Sequence, residues 1–305
     1  MTEMDTQVRT GGTTPATASP VVLRADHVSR QFTTKAGPIL AVDDVSLDVR
    51  RGETVGLVGE SGSGKSTMAR IFLDLLPATS GTVEFDGRPI SSLQKQERRA
   101  LRRKMQAVFQ NATGSLLPHY SVLDNVTEPL VIHKVGDATS RRRRAEELLD
   151  LVGVDPKLAD HYPRQFSGGQ QQRISIARAL ALEPQVLVCD EPTSALDVSI
   201  QAQILALFQR LRTELDLTCL FISHNLGVIE KVSDRVAVMR RGRVVESAPS
   251  RDLFADPQHP YTRQLLNAVL PVRRQSRHFE SQQLPDDEHS ELVEQGTDHW
   301  VRRAV

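Results

Sequence analysis

Residues 54–67 read TVGLVGESGSGKST, and the order of elements in this stretch decides the fold. Thr54–Val58 is a short apolar run of strand character, while STMARIFLDLL, from Ser66, carries the spacing of a helix. Between them Gly59, Glu60, Ser61, Gly62, Ser63, Gly64, Lys65 and Ser66 complete the pattern G-x-x-x-x-G-K-S. Strand, glycine loop and helix start together form an anion nest, because the glycines let successive backbone N–H groups converge on one phosphate. Lys65 then suits the charge on β and γ phosphates, the Ser66 hydroxyl suits Mg²⁺, and Thr67 reaches towards an α phosphate.

Two more apolar runs share the character of Thr54–Val58. VLVCD ends in Asp190 and Glu191, and CLFISH ends in His224. Uninterrupted Val, Ile and Leu runs suit strands covered on both faces in a parallel sheet, and such sheets bind ligands at the carboxyl ends of their strands. All three runs carry their reactive residues there, so one shared site is expected. Asp190 fits Mg²⁺ coordination, direct or through water, and Glu191 fits polarising or deprotonating an attacking water. About 125 residues separate glycine loop and carboxylates, far more than one strand–helix–strand crossover needs, so an inserted subdomain is expected. Its residues, about 115–183, are rich in helix formers.

The rest of the chain frames this core. Residues 1–20 are Thr-, Ala-, Gly- and Pro-rich without periodicity and read as a disordered leader. Residues 21–53 alternate like antiparallel strands, and VEFDGRPI reads as a hairpin. After Asp197, Ile200, Ile204, Leu207, Phe208, Leu211 and Leu215 recur at helical spacing. Residues 272–305 are polar and charged and read as a poorly ordered tail or a loose partner-binding segment.

Composition excludes several classes. Lys plus Arg and Asp plus Glu both number 38, so no basic field argues for nucleic acid. Cys189 and Cys219 sit in apolar runs and read as reduced core thiols, and no apolar stretch is long enough to span a bilayer. These features read as a cytosolic chain whose membrane role would need a partner. The basic run Arg141–Arg144 is followed by Glu146, Glu147 and Asp150, which reads as a solvated, ion-paired helix face.

A second glycine pair stands in QFSGGQQQRISIARAL, residues 165–180, at what reads as another helix start. Ser167, Gly168, Gly169 and Gln170 thus suit an anion, yet the chain already holds a fuller phosphate loop. Taken in order, GESGSGKST, Gln110 after MQAVF, FSGGQ, VLVCDE, SALD and His224 resemble the ATP-binding subunits of ABC transporters over about residues 21–271. The resemblance implies an α/β fold with a P-loop NTPase (RecA-like) parallel core, an antiparallel β subdomain and the helical insert. It implies an ATPase using ATP and Mg²⁺, with Gln110 touching Mg²⁺ or the water and His224 contacting the γ phosphate. Asp197 would communicate across a dimer. Phe32 is similar in position to an adenine-stacking aromatic, although a strand Phe serves a core equally well. By the same resemblance, the Ser167–Gln170 loop caps ATP held by a second subunit.

HPYT, residues 259–262, in an extension at about 247–271, resembles the ATPases of oligopeptide, dipeptide and nickel importers, and LLPATSGTVEFDG the F-type subunit of such pairs. That implies a second ATPase, either a D-type partner in a heterodimer or a homodimer, on two permease subunits at the cytoplasmic face of the cell membrane. An extracytoplasmic solute-binding protein would feed them. FQNATGSLLP departs from the family pattern at Asn111, Ala112 and Leu117, and YPRQ departs at Arg164 and Gln165. A soluble ABC-type ATPase acting on ribosomes or DNA is the alternative, disfavoured by a single cassette without a coiled-coil insert; an exporter ATPase is disfavoured by the HPYT segment.

Overall fold

The computed structural model describes residues 19–35, 37–110, 112–269 and 290–304. Strands β1 (Val21–Thr34) and β2 (Gly37–Arg50) form a long antiparallel pair that β4 (Ser80–Phe85) and β5 (Arg88–Pro89) extend. The order in this sheet is β2-β1-β4-β5, with β3 (Thr54–Val58) leaving it for the core.

The second sheet has eight strands, in the order β11-β12-β10-β9-β3-β8-β7-β6. Its centre is parallel: β6 (Met105–Val108), β7 (Val186–Asp190), β8 (Thr218–Ser223), β3 and β9 (Arg235–Arg240) all run in one direction. Every residue of β3, β7 and β8 is buried, as continuous apolar runs require when both faces of a sheet are covered, here partly by the first sheet. The register places Val58 beside Ser223, and Asp190 beside Ile222, so the carboxyl ends of β3, β8 and β7 lie in one line.

Helices α1 (Lys65–Phe72) and α2 (Lys95–Lys104) precede β6, and the insert between β6 and β7 is helical, as expected. It holds α3 (Ala112–Ser115), α4 (Val122–Ile132), α5 (Ala138–Leu151) and α6 (Gly168–Leu180) around Val126, Leu130, Ala145, Leu148, Leu149 and Ile174. Asn125, wholly buried, donates to Leu117, Tyr120 and Ser121 carbonyls and accepts from the Leu117 N–H, fixing the connection into α4. Helix α7 (Val198–Leu215) buries Ile204, Leu207, Phe208 and Leu211 against the sheet, with Phe208 and Phe221 edge to face at 5.4 Å. Leu215 differs from its expected place: it is exposed because it sits in the last turn, one residue before the left-handed Asp216 ends the helix.

Helix α8 (Leu226–Val232) leads to β9, and β10 (Arg243–Pro249) to α9 (Ser250–Ala255) and α10 (Pro260–Val269). The tail departs from the sequence expectation over residues 290–304. There β11 (Ser290–Gly296) and β12 (His299–Ala304) form a hairpin, and β12 pairs with β10 at Glu246 and Ser247. The free edge of β10 supplies ladder partners that no local hydrophobic pattern announces. Asp298 receives both guanidinium nitrogens of Arg50 at 2.7 and 2.8 Å, and Val301 and Arg302 are buried. The expected leader lies almost wholly outside the described residues, as does Asn111. Arg142, Arg143 and Arg144 pair with Glu146, Asp160, Glu147 and Glu183, a paired, solvated helix face. Both cysteines are free and buried; burial pushes the Cys219 thiol up to about 12 and Cys189 up as well.

Candidate functional site

The parallel sheet assembles the site by bringing four strand ends side by side. Gly59–Ser66 follows β3, Gln110 follows β6, Asp190 ends β7 with Glu191 just beyond, and His224 follows β8. An open cleft of about 550 Å³ is lined by Ala41, Ser61, Gly62, Gly64, Lys65, Ser66, Thr67, Gln110, Glu191 and His224. Sequence reasoning singled out all of these except Ala41, which the first sheet brings against the glycine loop. A larger cleft of about 700 Å³ lies between that sheet and the hairpin and contains none of these groups. The convergence of chemistry decides for the smaller one.

Two glycines of the loop are required by their surroundings. Gly64 adopts φ 105°, and a Cβ there would stand 2.3 Å from the Ala41 carbonyl oxygen. At Gly59, with φ 159°, a Cβ would meet the Met239 carbonyl oxygen at 2.1 Å. Gly64 caps α1 without a side-chain acceptor, so the first N–H groups of the helix remain available to an anion. The Lys65 ammonium is buried and donates to the Gly59 and Glu60 carbonyls at 2.8 and 2.7 Å. Burial pulls its pKa below the usual lysine value, against the upward pull of Glu191, Asp190 and Glu60. Within its loop the ammonium bonds only neutral carbonyls and a hydroxyl, and a phosphate would add a directly bonded counter-charge.

The Ser66 hydroxyl donates to Asp190 at 3.0 Å, placing two hard oxygens at the mouth of α1. Burial raises the Asp190 carboxyl above its ordinary range, assisted by the Glu191 charge and opposed by the Ser66 hydrogen bond. A divalent cation would favour the ionised form. Among the described residues no group of three or more His, Cys, Asp or Glu converges as a metal cage. One hydroxyl and one carboxylate fit Mg²⁺, which takes few protein ligands and completes its shell with phosphate oxygens and water.

Glu191 stands at φ 49°, a left-handed conformation costly for a side chain of this kind, held by its N–H to the Ile222 carbonyl at 3.0 Å. Its Oε2 accepts from the Gln110 amide at 3.3 Å and lies 3.1 Å from His224 Nδ1. Three strand ends thus converge on one carboxylate oxygen, and an amide, an acid and an imidazole in this array can orient a water and take its proton.

The second glycine loop stands apart. Ser167 caps α6, accepting from the Gln170 N–H while Gln170 Oε1 accepts from the Ser167 N–H. None of Ser167, Gly168, Gly169 and Gln170 lines the cleft. The two glycines have different causes: a Cβ at Gly169 would strike Ile200 of α7 at 2.5 Å, whereas Gly168 meets only Leu196, at 3.8 Å. Gly169 therefore permits helix packing, and Gly168 keeps the exposed face open. Asp197 also lies outside the cleft and spends its carboxylate on α7, accepting from the Ile200 N–H at 2.9 Å and the Ser199 hydroxyl at 2.7 Å. Phe32 is half-buried on β1 opposite Ile39, with the Arg30 guanidinium 4.8 Å from its ring centre, and does not line the cleft.

Side chains of α6 brace the insert around the second loop. Arg178 of α6 donates to the Ser115 carbonyl of α3 at 2.5 Å, and Gln171 donates to the Pro163 and Phe166 carbonyls. Gln165, one of the departures before the second loop, accepts from the Tyr162 N–H at 2.8 Å and so caps a local turn. Sequence reasoning missed Tyr261, whose hydroxyl accepts from the Glu60 N–H at 3.2 Å. Its only signal was its place in HPYT.

Residues 42–194 match the family model described as ABC transporter, and residues 245–293 match the oligopeptide/dipeptide transporter C-terminal region. The oligopeptide transport ATP-binding protein OppF of Bacillus subtilis (strain 168) is 45% identical over 291 residues, covering 92% of this chain and 95% of its own. A putative peptide import ATP-binding protein of Brucella ovis is 48% identical, covering 81% of this chain and 78% of its own. Among solved structures, the dimeric post-hydrolysis state of an ATP-binding cassette bound to ADP and phosphate is similar at a TM-score of 0.69 and 34% identity. It covers 75% of this chain and 99% of its own.

Proposed function

The chain belongs to the ABC transporter family as an ATP-binding, ATP-hydrolysing subunit of a peptide-type importer, and we propose how its own residues divide that work. Lys65 and the N–H groups of Gly62 to Ser66 hold the β and γ phosphates of ATP, Thr67 reaches the α phosphate, and Phe32 stacks on adenine. Ser66 and Asp190 hold Mg²⁺, assisted by Gln110. When bound there, the cation would supply charge neutralisation during phosphoryl transfer.

Glu191 accepts a proton from, or polarises, the attacking water, while Gln110 and His224 fix the orientation of its carboxylate. His224 also reaches towards the γ phosphate. The observation that carries this reading is the meeting of Gln110 and His224 on one oxygen of Glu191, beside the Ser66–Asp190 pair. Glu191→Gln keeps the size and both neighbours but removes the base. Nucleotide binding should persist while turnover falls by roughly 10²- to 10⁴-fold; turnover within a few fold of wild type would remove Glu191 from the role.

Ser167, Gly168 and Gln170 serve the ATP of a second ATPase subunit, a D-type partner or another copy of this chain, with Asp197 near the same junction. Their exposure outside their own cleft supports this reading. Two transmembrane permease subunits complete the machine at the cytoplasmic face of the membrane, fed by an extracytoplasmic binding protein. No helix among the described residues is long and apolar enough to cross a membrane, so the crossing falls to partners in this reading.

A further inference from the structure

The Gly59–Glu60 peptide is gripped from both ends. Its carbonyl accepts from Lys65 Nζ at 2.8 Å, and its N–H donates to the Tyr261 hydroxyl at 3.2 Å. A trans peptide is planar, with its C=O and N–H pointing in opposite directions, so fixing one fixes the other. Tyr261 is 201 residues from Glu60 and is one of the largest fully buried side chains among the described residues.

Its own position is over-determined. The Arg240 guanidinium lies 5.3 Å from its ring centre, and its N–H donates to His259 Nδ1 at 3.1 Å. His259 and Gln258 donate their backbone N–H groups to the two oxygens of Glu246, at 3.0 and 2.8 Å, and Glu246 is wholly buried on β10. His299 of the hairpin meets the same carboxylate at 2.9 Å. A rigid hydroxyl is thus presented to the first turn of the phosphate loop from a segment outside the ATPase motifs.

We propose that Tyr261 is a positioning residue for nucleotide binding, setting through the Gly59–Glu60 peptide the place from which Lys65 reaches the phosphates. The inference rests on the reading of Lys65 as a phosphate ligand. The HPYT segment then acts on the reaction as a strut behind the loop. A phenol hydroxyl accepts while remaining neutral, so the strut adds no charge to the site.

The test uses the full chain and the probe MgATP. In the nucleotide-free wild type, the Glu60 amide should exchange with deuterium at least ~10-fold more slowly than an unbonded amide, because opening must break the Tyr261 bond. An unprotected Glu60 amide would overturn the proposal without any variant. In Tyr261→Phe the ring and its Arg240 contact remain; ATP and ADP affinity should fall about fivefold, the effect of one modest hydrogen bond, with Glu60 exchange raised to match. Unchanged affinity, or faster exchange spread evenly over α10 with a lowered melting temperature, would assign Tyr261 to packing and contradict the proposal. Failure of the wild type itself to bind MgATP would instead refute the reading of the cleft.

Discussion

The Ser66 hydroxyl and the Asp190 carboxylate meet at 3.0 Å across 124 residues of sequence, joining the start of α1 to the end of β7. Because burial holds the Asp190 carboxyl above its ordinary range, the pair is poised for a hard cation that would favour the ionised form. Asp190→Asn preserves shape and can still accept from Ser66 but removes the anionic ligand. The Mg²⁺ concentration needed for half-maximal ATP turnover should rise by roughly 10- to 100-fold. An unchanged Mg²⁺ requirement would separate Asp190 from the metal.

Lys65 invites a contrast between stability and binding. Its ammonium is buried and its pKa depressed by that burial, so in the free protein the charge works against folding. Lys65→Met keeps the length and removes the charge. We expect a melting temperature equal to or above that of wild type, together with loss of most of the stabilisation by MgATP, which at 100 times Kd amounts to about 2.7 kcal/mol for wild type. A variant that melts lower but keeps the full nucleotide-induced shift would contradict this account of Lys65.

The C-terminal hairpin should respond to pH through two groups of opposite sign. The Glu246 hydrogen bond and charge raise His299 above 6.5, with Asp252 and Asp256 adding to the effect, so its contribution is complete below that value and fades as pH rises through the folded-state pKa. Asp298 is held below 3.8 by its hydrogen bond to Arg50, so its contribution is complete above that value and fades only in stronger acid. Docking should be strongest between about pH 4 and 6.5 and loosen on the alkaline side. Trp300, the single tryptophan, reports on it: its emission should shift to the red between pH 6 and 9, and His299→Gln should abolish the pH dependence. A flat profile in wild type would rule out the His299 contribution.

The cleft was legible because its chemistry is written in local motifs. Asp190, Glu191 and His224 stand at or just beyond the ends of β7 and β8, and Lys65 and Ser66 open the helix after the loop that follows β3, three strands whose burial is itself written as continuous apolar runs. The Tyr261–Glu60 contact was not legible, since a buried tyrosine in an amphipathic segment gives no sign of which distant amide it faces. The hairpin was hidden for another reason. SELVEQG and HWVRRA are mostly polar and exposed over most of β11; ladder bonds to β10 and the Arg50–Asp298 pair hold them, with only Leu292 and Val301 packing as apolar anchors. Gly169 shows a third limit: its spacing within SGGQ resembles an anion loop, whereas its immediate cause is the approach of Ile200.

In the proposed arrangement one chain carries two incomplete nucleotide sites, one around Lys65 and the other at Ser167–Gln170, outside the cleft. Parallel ATP binding and hydrolysis by Ser167→Arg, in the purified complex with the proposed second ATPase subunit, test this arrangement most directly. Ser167 lies outside the cleft, so ATP affinity at the Lys65 loop should stay within about twofold, while lost contacts in the shared site should lower its hydrolysis by roughly 10²-fold or more. Loss of ATP binding by the variant chain, or hydrolysis left intact, would contradict the account.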